Sequence, residues 1–162
     1  MDNTLVDFYH MKLACLREGV RAMRKHGFKM KTRKAINKII NIYREVNNFD
    51  RQDVFQEFLK RETGVINPKM LSAGIVAYRK VRDKVLKPYK GMIDVLKYLK
   101  YNKIRMGVVT DAPELNAWIR LTIAGINDYF EKVRACSRKP SRMPFKKALE
   151  EFSAKPDETL FI

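Results

Sequence analysis

The chain has 162 residues, of which 46% are hydrophobic and 32% charged, so it is long enough to bury the core of one compact domain or of a core with an insert. Its two cysteines exclude a disulfide framework or a zinc site. No apolar stretch approaches the roughly 18 residues of a membrane span, and no secretory pattern precedes the apolar segments. We therefore expect a cytoplasmic protein without a membrane association.

The formal charge of +16 is concentrated in the first part of the chain. Residues 1–90 hold 21 Lys and Arg against 9 Asp and Glu, whereas residues 91–162 hold 13 against 9. A basic balance is typical of proteins that bind a polyanion or an anionic substrate. We expect most of these side chains to form the solvated faces of helices.

The first half of the chain has the apolar periodicity of helices, with no convincing strand. Thr32 and Asp50 are suited to cap the second and third helices, and Asn67-Pro68 is typical of a cap followed by a first helical residue. Cys15 lies among the apolar residues of the first helix, so we expect it in the core. The predicted helices cover residues 5–23, 32–46, 50–63 and 68–87.

The pattern changes after Pro88, where helices alternate with short apolar runs. The predicted helices cover residues 91–100, 113–124 and 144–152. The predicted strands cover residues 104–109, 132–136 and 159–162. This alternation predicts an α/β fold with a Rossmann-like parallel sheet, into which the earlier helices are inserted.

Polar residues follow the ends of the predicted strands. Asp2-Asn3-Thr4 opens the chain, Thr110-Asp111 follows one strand, and Lys139-Pro140 follows the next. Because open parallel sheets bind ligands at the carboxyl ends of their strands, these three groups are candidates for one site.

The order of these segments resembles the haloacid dehalogenase-like (HAD) hydrolases over essentially the whole chain. MDNTLVD is similar to the end of the family's first motif, hhhhDxDxTL, and MGVVTDAP to the second motif. RKPSRMPFKKALE resembles the third motif, and DETLFI the strand that leads into the acidic fourth. The resemblance implies an incomplete α/β core over residues 1–4 and 88–162, with a helical cap over residues 5–87.

The resemblance also implies a role for each site residue. Asp2 would protonate the leaving oxygen and later take a proton from water, and its backbone carbonyl would bind Mg²⁺. Thr110 would hydrogen-bond the phosphoryl group, and Lys139 would neutralise its charge. Thr4 and the backbone amide of Asn3 would position the loop and the phosphate. Without the resemblance, a helix cap is the preferred interpretation of Asp2. Thr110 and Asp111 can likewise cap the helix after Pro113.

The family pattern places its nucleophilic aspartate directly before Met1 and a Gly-Asp with a further acidic residue after Ile162, outside the 162 residues. The usual Lys-Pro-x-Pro has also become Lys139-Pro140-Ser141-Arg142. We therefore expect this chain to be inactive alone, and to be a fragment or a reading frame started too late.

The implied activity is Mg²⁺-dependent hydrolysis of a small phosphorylated metabolite of the triose or sugar phosphate type, through an aspartyl phosphate. The run DNTLVDF resembles archaeal-type phosphatases of small phosphoesters, including glyceraldehyde 3-phosphate. The sequence sets no oligomeric state.

The alternative is a non-enzymatic basic helical module that binds nucleic acid or another anion. The chain lacks a turn-helix reader and an aromatic platform, so we do not expect nucleic acid as the partner. The basic cluster behind this alternative consists of Arg21, Arg24, Lys25, Lys29, Lys31, Arg33, Lys34 and Lys38.

Overall fold

A computed structural model describes residues 1–135 and 139–162. The chain divides into two compact units, which we call the α/β unit, Met1–Phe8 with Leu86–Ile162, and the helical unit, Tyr9–Val85. The sequence-based boundaries fall after residues 4 and 87, whereas the units divide after Phe8 and Val85.

The order of elements follows the predicted one, with five helices before the first strand. The helices are α1 Phe8–Lys25, α2 Thr32–Glu45, α3 Val54–Thr63, α4 Pro68–Val85, α5 Met92–Tyr101, α6 Glu114–Ile123 and α7 Met143–Phe152. The strands are β1 Gly107–Thr110 and β2 Lys132–Ala135, and short 3-10 turns cover Asn127–Tyr129 and Pro156–Glu158. Within the described residues, no helix is long and apolar enough to cross a membrane.

The helical unit is built around aromatic side chains from α2, α3 and the segment after α1. Phe58 is fully buried and meets Phe28 edge to face, with 5.3 Å between the ring centroids. Tyr43 of α2 is also buried and stacks on Phe49. Buried aromatic rings remove a large apolar area from water, and their edge-to-face contacts add to that stabilisation.

Two predicted caps are wrong. Thr32 is the first residue of α2 rather than its cap, and its hydroxyl accepts a hydrogen bond from Arg24 at 3.3 Å. Asp50 does not cap α3, because that helix begins four residues later, at Val54. The prediction for Asn67 is confirmed, since its side-chain oxygen accepts from the backbone N–H of Met70 at 3.1 Å.

The first helix begins later than predicted, because residues 1–7 form a closed turn. The backbone N–H of Leu5 donates to the carbonyl of Met1 at 2.8 Å, and that of Asn3 donates to Val6 at 2.8 Å. These bonds hold Leu5 in a turn conformation and leave Phe8 as the first residue of α1.

Cys15 is fully buried on α1, as expected from the sequence, and its thiol lies 3.5 Å from the sulfur of Met11. Burial raises the pKa of the Cys15 thiol to about 11, so little thiolate exists near neutral pH.

We expect iodoacetamide to leave Cys15 unmodified at about pH 8 in the folded protein. Mass spectrometry of the Cys136→Ser variant isolates this thiol. Alkylation as fast as in the urea-unfolded variant would contradict the prediction.

The α/β unit is organised by the parallel pair β1 and β2, in which Val108 pairs with Val133 and Thr110 with Ala135. Val108 and Val133 are buried. Helix α6 follows β1 and buries Leu121 completely. A parallel pair with a helix between its strands is the arrangement that the alternating pattern predicts.

The predicted strand at residues 159–162 is wrong. Thr159 has an extended backbone, but no described strand pairs with this segment. Leu160 and Ile162 are exposed, and Phe161 packs against the ring of Phe145 with 5.0 Å between centroids. An apolar extended run becomes a strand only where a neighbouring backbone takes up its hydrogen bonds.

Gly107 lies against an aromatic ring at the start of β1. A Cβ atom at this position would be 2.6 Å from Cζ of Phe152. That ring also lies beside the guanidinium of Arg105, at 4.9 Å, and the ammonium of Lys132, at 5.5 Å. The close approach therefore leaves no room for a side chain unless the ring moves away from both cations.

We expect Gly107→Ala to lower the free energy of unfolding of the α/β unit by about 1–3 kcal/mol, the usual cost of overpacking. The measurement is urea unfolding followed by the fluorescence of Trp118, the single tryptophan, which lies on α6. The same change in a Phe152→Leu background is the control and should cost less. A stability equal to that of the parent would show that the ring moves freely.

Candidate active site

Backbone hydrogen bonds within residues 1–6 hold the loop that carries Asp2. Asn3 has a positive φ of 56°, a conformation that asparagine tolerates better than most residues. Thr4 donates its backbone N–H to the carbonyl of Met1 at 3.2 Å. The Asn3 amide already donates to Val6, so in this conformation it supports the loop. The predicted contact of Asn3 and Thr4 with a phosphate stays a prediction.

Asp2 forms a salt bridge with an arginine that is 118 residues away in sequence. Nη1 of Arg120 lies 2.7 Å from Oδ2 of Asp2. The side chain of Arg120 is only 8% exposed and that of Asp2 24%. The Arg120 guanidinium also lies over the ring of Phe8, with Cζ 4.4 Å from the centroid. The carboxylate of Asp2 is thus held by a buried cation of α6.

Thr110 is the last residue of β1 and is buried. Its hydroxyl oxygen accepts a hydrogen bond from the backbone N–H of Ala112 at 3.2 Å, which turns the chain from the strand towards α6. The structure therefore places Thr110 at the carboxyl end of a parallel strand, the edge at which such sheets bind ligands.

Lys139 is linked to this edge through Asp111. Its Nζ lies 3.9 Å from Oδ2 of Asp111, and its backbone N–H donates to Oδ1 of the same carboxylate at 3.4 Å. The Lys139 side chain is about one-third exposed, so an anion can approach it. Asp111, which follows Thr110 directly, thus connects two of the predicted site residues.

The charges of both groups of residues act on the amino group of Met1. Burial is the main cause that lowers the pKa of the Met1 amino group. The nearby carboxylate of Asp2 raises that pKa, and the cations of Lys139 and Arg120 lower it.

The described residues do not form a complete metal site. In residues 1–135 and 139–162, no three His, Cys, Asp or Glu side chains lie close enough together to hold an ion. The backbone carbonyl of Asp2 is a hard oxygen donor of the type that Mg²⁺ prefers, but one such donor does not hold the ion.

Sequence reasoning missed Arg120 and treated Asp111 only as a cap. A signal for Arg120 was present, because Ala117 is three residues before it, Ala124 is four residues after it and Leu121 follows it directly. All four residues are buried. A single arginine on an otherwise small and apolar helix face indicates a buried partner of opposite charge.

The basic cluster lies in the helical unit, where three of its members are paired. Arg21 bonds Glu18, Lys38 bonds Glu62, and Arg24 bonds the hydroxyl of Thr32. The remaining side chains are exposed and form no ion pair within the part of the chain that is described. These side chains are Lys25, Lys29, Lys31, Arg33 and Lys34.

Comparisons with known proteins agree with the order of motifs. The chain is 28% identical over 167 residues to the glyceraldehyde 3-phosphate phosphatase of Pyrococcus furiosus, covering 100% of the chain and 69% of that protein. It is also 28% identical to the glyceraldehyde 3-phosphate phosphatase of Methanocaldococcus jannaschii, covering 100% of the chain and 72% of that protein.

Two solved structures show the same fold. A candidate β-phosphoglucomutase from Thermotoga maritima superposes with a TM-score of 0.71 at 18% identity, covering 98% of the chain and 70% of that protein. The candidate HAD hydrolase YfnB from Bacillus subtilis, whose structure contains magnesium, gives a TM-score of 0.59 at 17% identity, covering 98% and 73%. The predicted α/β class is confirmed by this similarity. A family model described as haloacid dehalogenase-like hydrolase matches residues 1–162, so the chain belongs to that family.

Proposed function

We propose that this protein hydrolyses the phosphate monoester of a small metabolite of the triose or sugar phosphate type. The observation that carries the proposal is that the end of β1 and the helix after it hold both Lys139, through Asp111, and Asp2, through Arg120. Monoester hydrolysis requires a proton donor for the leaving oxygen and a cation for the phosphoryl oxygens, and Asp2 and Lys139 supply such groups. Glyceraldehyde 3-phosphate is the first substrate to test, because relatives that match the whole chain carry its name.

Each proposed role is the one that the resemblance to the family implies. In a protein that carries the family's aspartate directly before Met1, that aspartate would attack phosphorus, and the bond from phosphorus to the leaving oxygen would break while Asp2 gives that oxygen a proton. Water then attacks the aspartyl phosphate, Asp2 takes the proton of the water, and the free aspartate and inorganic phosphate are released. Thr110 and Lys139 hold the transferred phosphoryl group through a hydrogen bond and an ionic contact.

We propose Mg²⁺ as the cofactor, with the backbone carbonyl of Asp2 among its ligands. When bound, the ion withdraws charge from the phosphoryl oxygens. Because the described residues supply only this donor, the steps above are assigned to the side chains alone. The expected result is loss of turnover on chelation and recovery when Mg²⁺ is added back.

We propose that the helical unit is the cap that selects the substrate. Its excess of cations raises the local concentration of a dianion, an effect that weakens as ionic strength rises. A fall in kcat/KM with salt, which is smaller for a less charged substrate, supports this assignment.

The test compares residues 1–162 with an extended protein. In the extended protein, an apolar strand ending in aspartate precedes Met1, and the Gly-Asp and acidic residue of the family pattern follow Ile162. We expect the extended protein to hydrolyse p-nitrophenyl phosphate and glyceraldehyde 3-phosphate with Mg²⁺, and residues 1–162 alone to be inactive. An inactive, folded extended protein would contradict the proposal.

The basic cluster provides the test of the alternative function. We expect no saturable binding of a duplex oligonucleotide to residues 1–162 at about 0.15 M salt, where exposed charges are strongly screened. Fluorescence anisotropy measures this directly. Binding that disappears when the five unpaired cations of the cluster are changed to glutamine would instead support nucleic-acid recognition.

A further inference from the structure

Arg120 is a buried cation whose environment is unusual within the α/β unit. Removing a guanidinium from water is costly unless it is paired and hydrogen-bonded. Arg120 meets that requirement through two contacts, the salt bridge to Oδ2 of Asp2 at 2.7 Å and the ring of Phe8 at 4.4 Å. Asp2 belongs to the loop that the family motif occupies, Phe8 is the first residue of α1, and Arg120 belongs to α6.

These contacts fix the direction in which the Asp2 carboxylate points. Asp2 lies in a turn, and a short loop alone constrains the side-chain rotamer weakly. The guanidinium extends from the buried face of a helix, which is a rigid support. It contacts both the Phe8 ring and the Asp2 carboxylate. Sites supported in this way hold their geometry better than sites built on loops alone.

We propose that Arg120 is a positioning residue that aims the carboxyl group of Asp2 at the leaving oxygen of the substrate. This inference rests on the proposed phosphatase function and on the role of Asp2 in it. Arg120 is assigned to positioning and not to substrate binding because its side chain is 8% exposed and lies between two protein groups.

A positioning role for Arg120 predicts a difference between substrates that a purely structural role does not predict. Proton donation matters greatly for an alkyl phosphate, whose leaving oxygen is strongly basic, and little for p-nitrophenyl phosphate, whose leaving oxygen is weakly basic. Misdirecting Asp2 should therefore reduce turnover of glycerol phosphate much more than turnover of the aryl ester. General damage to the fold should reduce both equally.

The experiment uses Arg120→Gln and Arg120→Lys in the extended protein. We expect Arg120→Gln to lower kcat for glycerol phosphate by about 10- to 100-fold with little change in KM, since small misplacements of a catalytic group have effects of this size. The loss with p-nitrophenyl phosphate should be severalfold smaller. Arg120→Lys keeps the charge but not the planar fork, so it should recover part of the loss.

Arg105→Lys is the matched control. Arg105 also pairs with a carboxylate, that of Glu131 at 3.0 Å, and also lies over a phenylalanine ring, that of Phe152 at 4.9 Å. Its contacts do not involve Asp2, so both substrates should respond equally to this variant. Trp118 fluorescence during thermal unfolding establishes that each variant is folded.

A double-mutant cycle of Asp2→Asn and Arg120→Gln, measured as unfolding midpoints in residues 1–162, tests the contact without catalysis. Non-additive midpoints together with the selective loss for the alkyl ester support the proposal. Additive midpoints, or an equal loss with both substrates, overturn it. An inactive extended parent would contradict both the proposed function and this inference. An active parent whose rates do not change when Arg120 is substituted would overturn this inference alone.

Discussion

Asp2→Asn in the extended protein is expected to lower kcat for an alkyl phosphate by about 10²- to 10⁴-fold, the usual contribution of a general acid–base group. The amide cannot donate a proton to the leaving oxygen, and it cannot accept one from water. It is nearly the same size as the carboxyl group, and its oxygen still accepts a hydrogen bond from Arg120. Steady-state rates of inorganic phosphate release measure the effect.

The control for this variant is Asp7→Asn, which makes the same chemical change five residues later at an exposed position. Its rate should stay within about twofold of the parent, because exposed polar substitutions away from a site have small effects. If Asp2→Asn retains the parent rate with the alkyl ester, Asp2 is a capping residue and the family-derived role is wrong for this chain.

Phe58→Ala is expected to lower the free energy of unfolding of the helical unit by about 3–5 kcal/mol. Phe58 has no exposed surface, and its ring contacts Phe28 at a centroid distance of 5.3 Å. Removing the ring leaves a cavity beneath α3 that fixed helices cannot fill. The measurement is urea unfolding followed by far-UV circular dichroism, since most helical residues belong to this unit.

Val76→Ala provides the comparison within the same unit. Val76 lies on α4 and is 50% exposed, so its truncation should cost no more than about 0.5 kcal/mol. Equal losses for the two variants would indicate that the aromatic cluster does not form the core of the helical unit.

The fold could be predicted where hydrophobic periodicity determines it. The helices of the first half and the alternation after Pro88 follow from the spacing of apolar residues, because these patterns match the geometry of a buried helix face or strand. Helix starts were less predictable, since several polar residues near Thr32 and Asp50 can serve as caps and tertiary contacts select among them. The segment at residues 159–162 shows that apolar character alone does not predict pairing.

Only the candidate site residues that lie in segments resembling the family motifs could be predicted from the sequence. Asp2, Thr110 and Lys139 were selected by motif order, and their roles remain proposals. Arg120 was missed because its importance depends on a contact between residues far apart in sequence. The ionic bridge between Asp111 and Lys139 also joins separate segments, which local pattern reasoning cannot bring together.

The chain leaves the α/β unit after Phe8 and returns to it after Val85. Backbone pairing joins residues close to these two points. Val6 forms an antiparallel bridge with Pro88, and the N–H of Tyr89 donates to the carbonyl of Leu5 at 3.0 Å. A segment whose flanking residues are already neighbours can be exchanged as a cassette, because a short linker closes the gap without stretching the host. Recombination can therefore substitute one helical insert for another while the α/β unit is inherited unchanged.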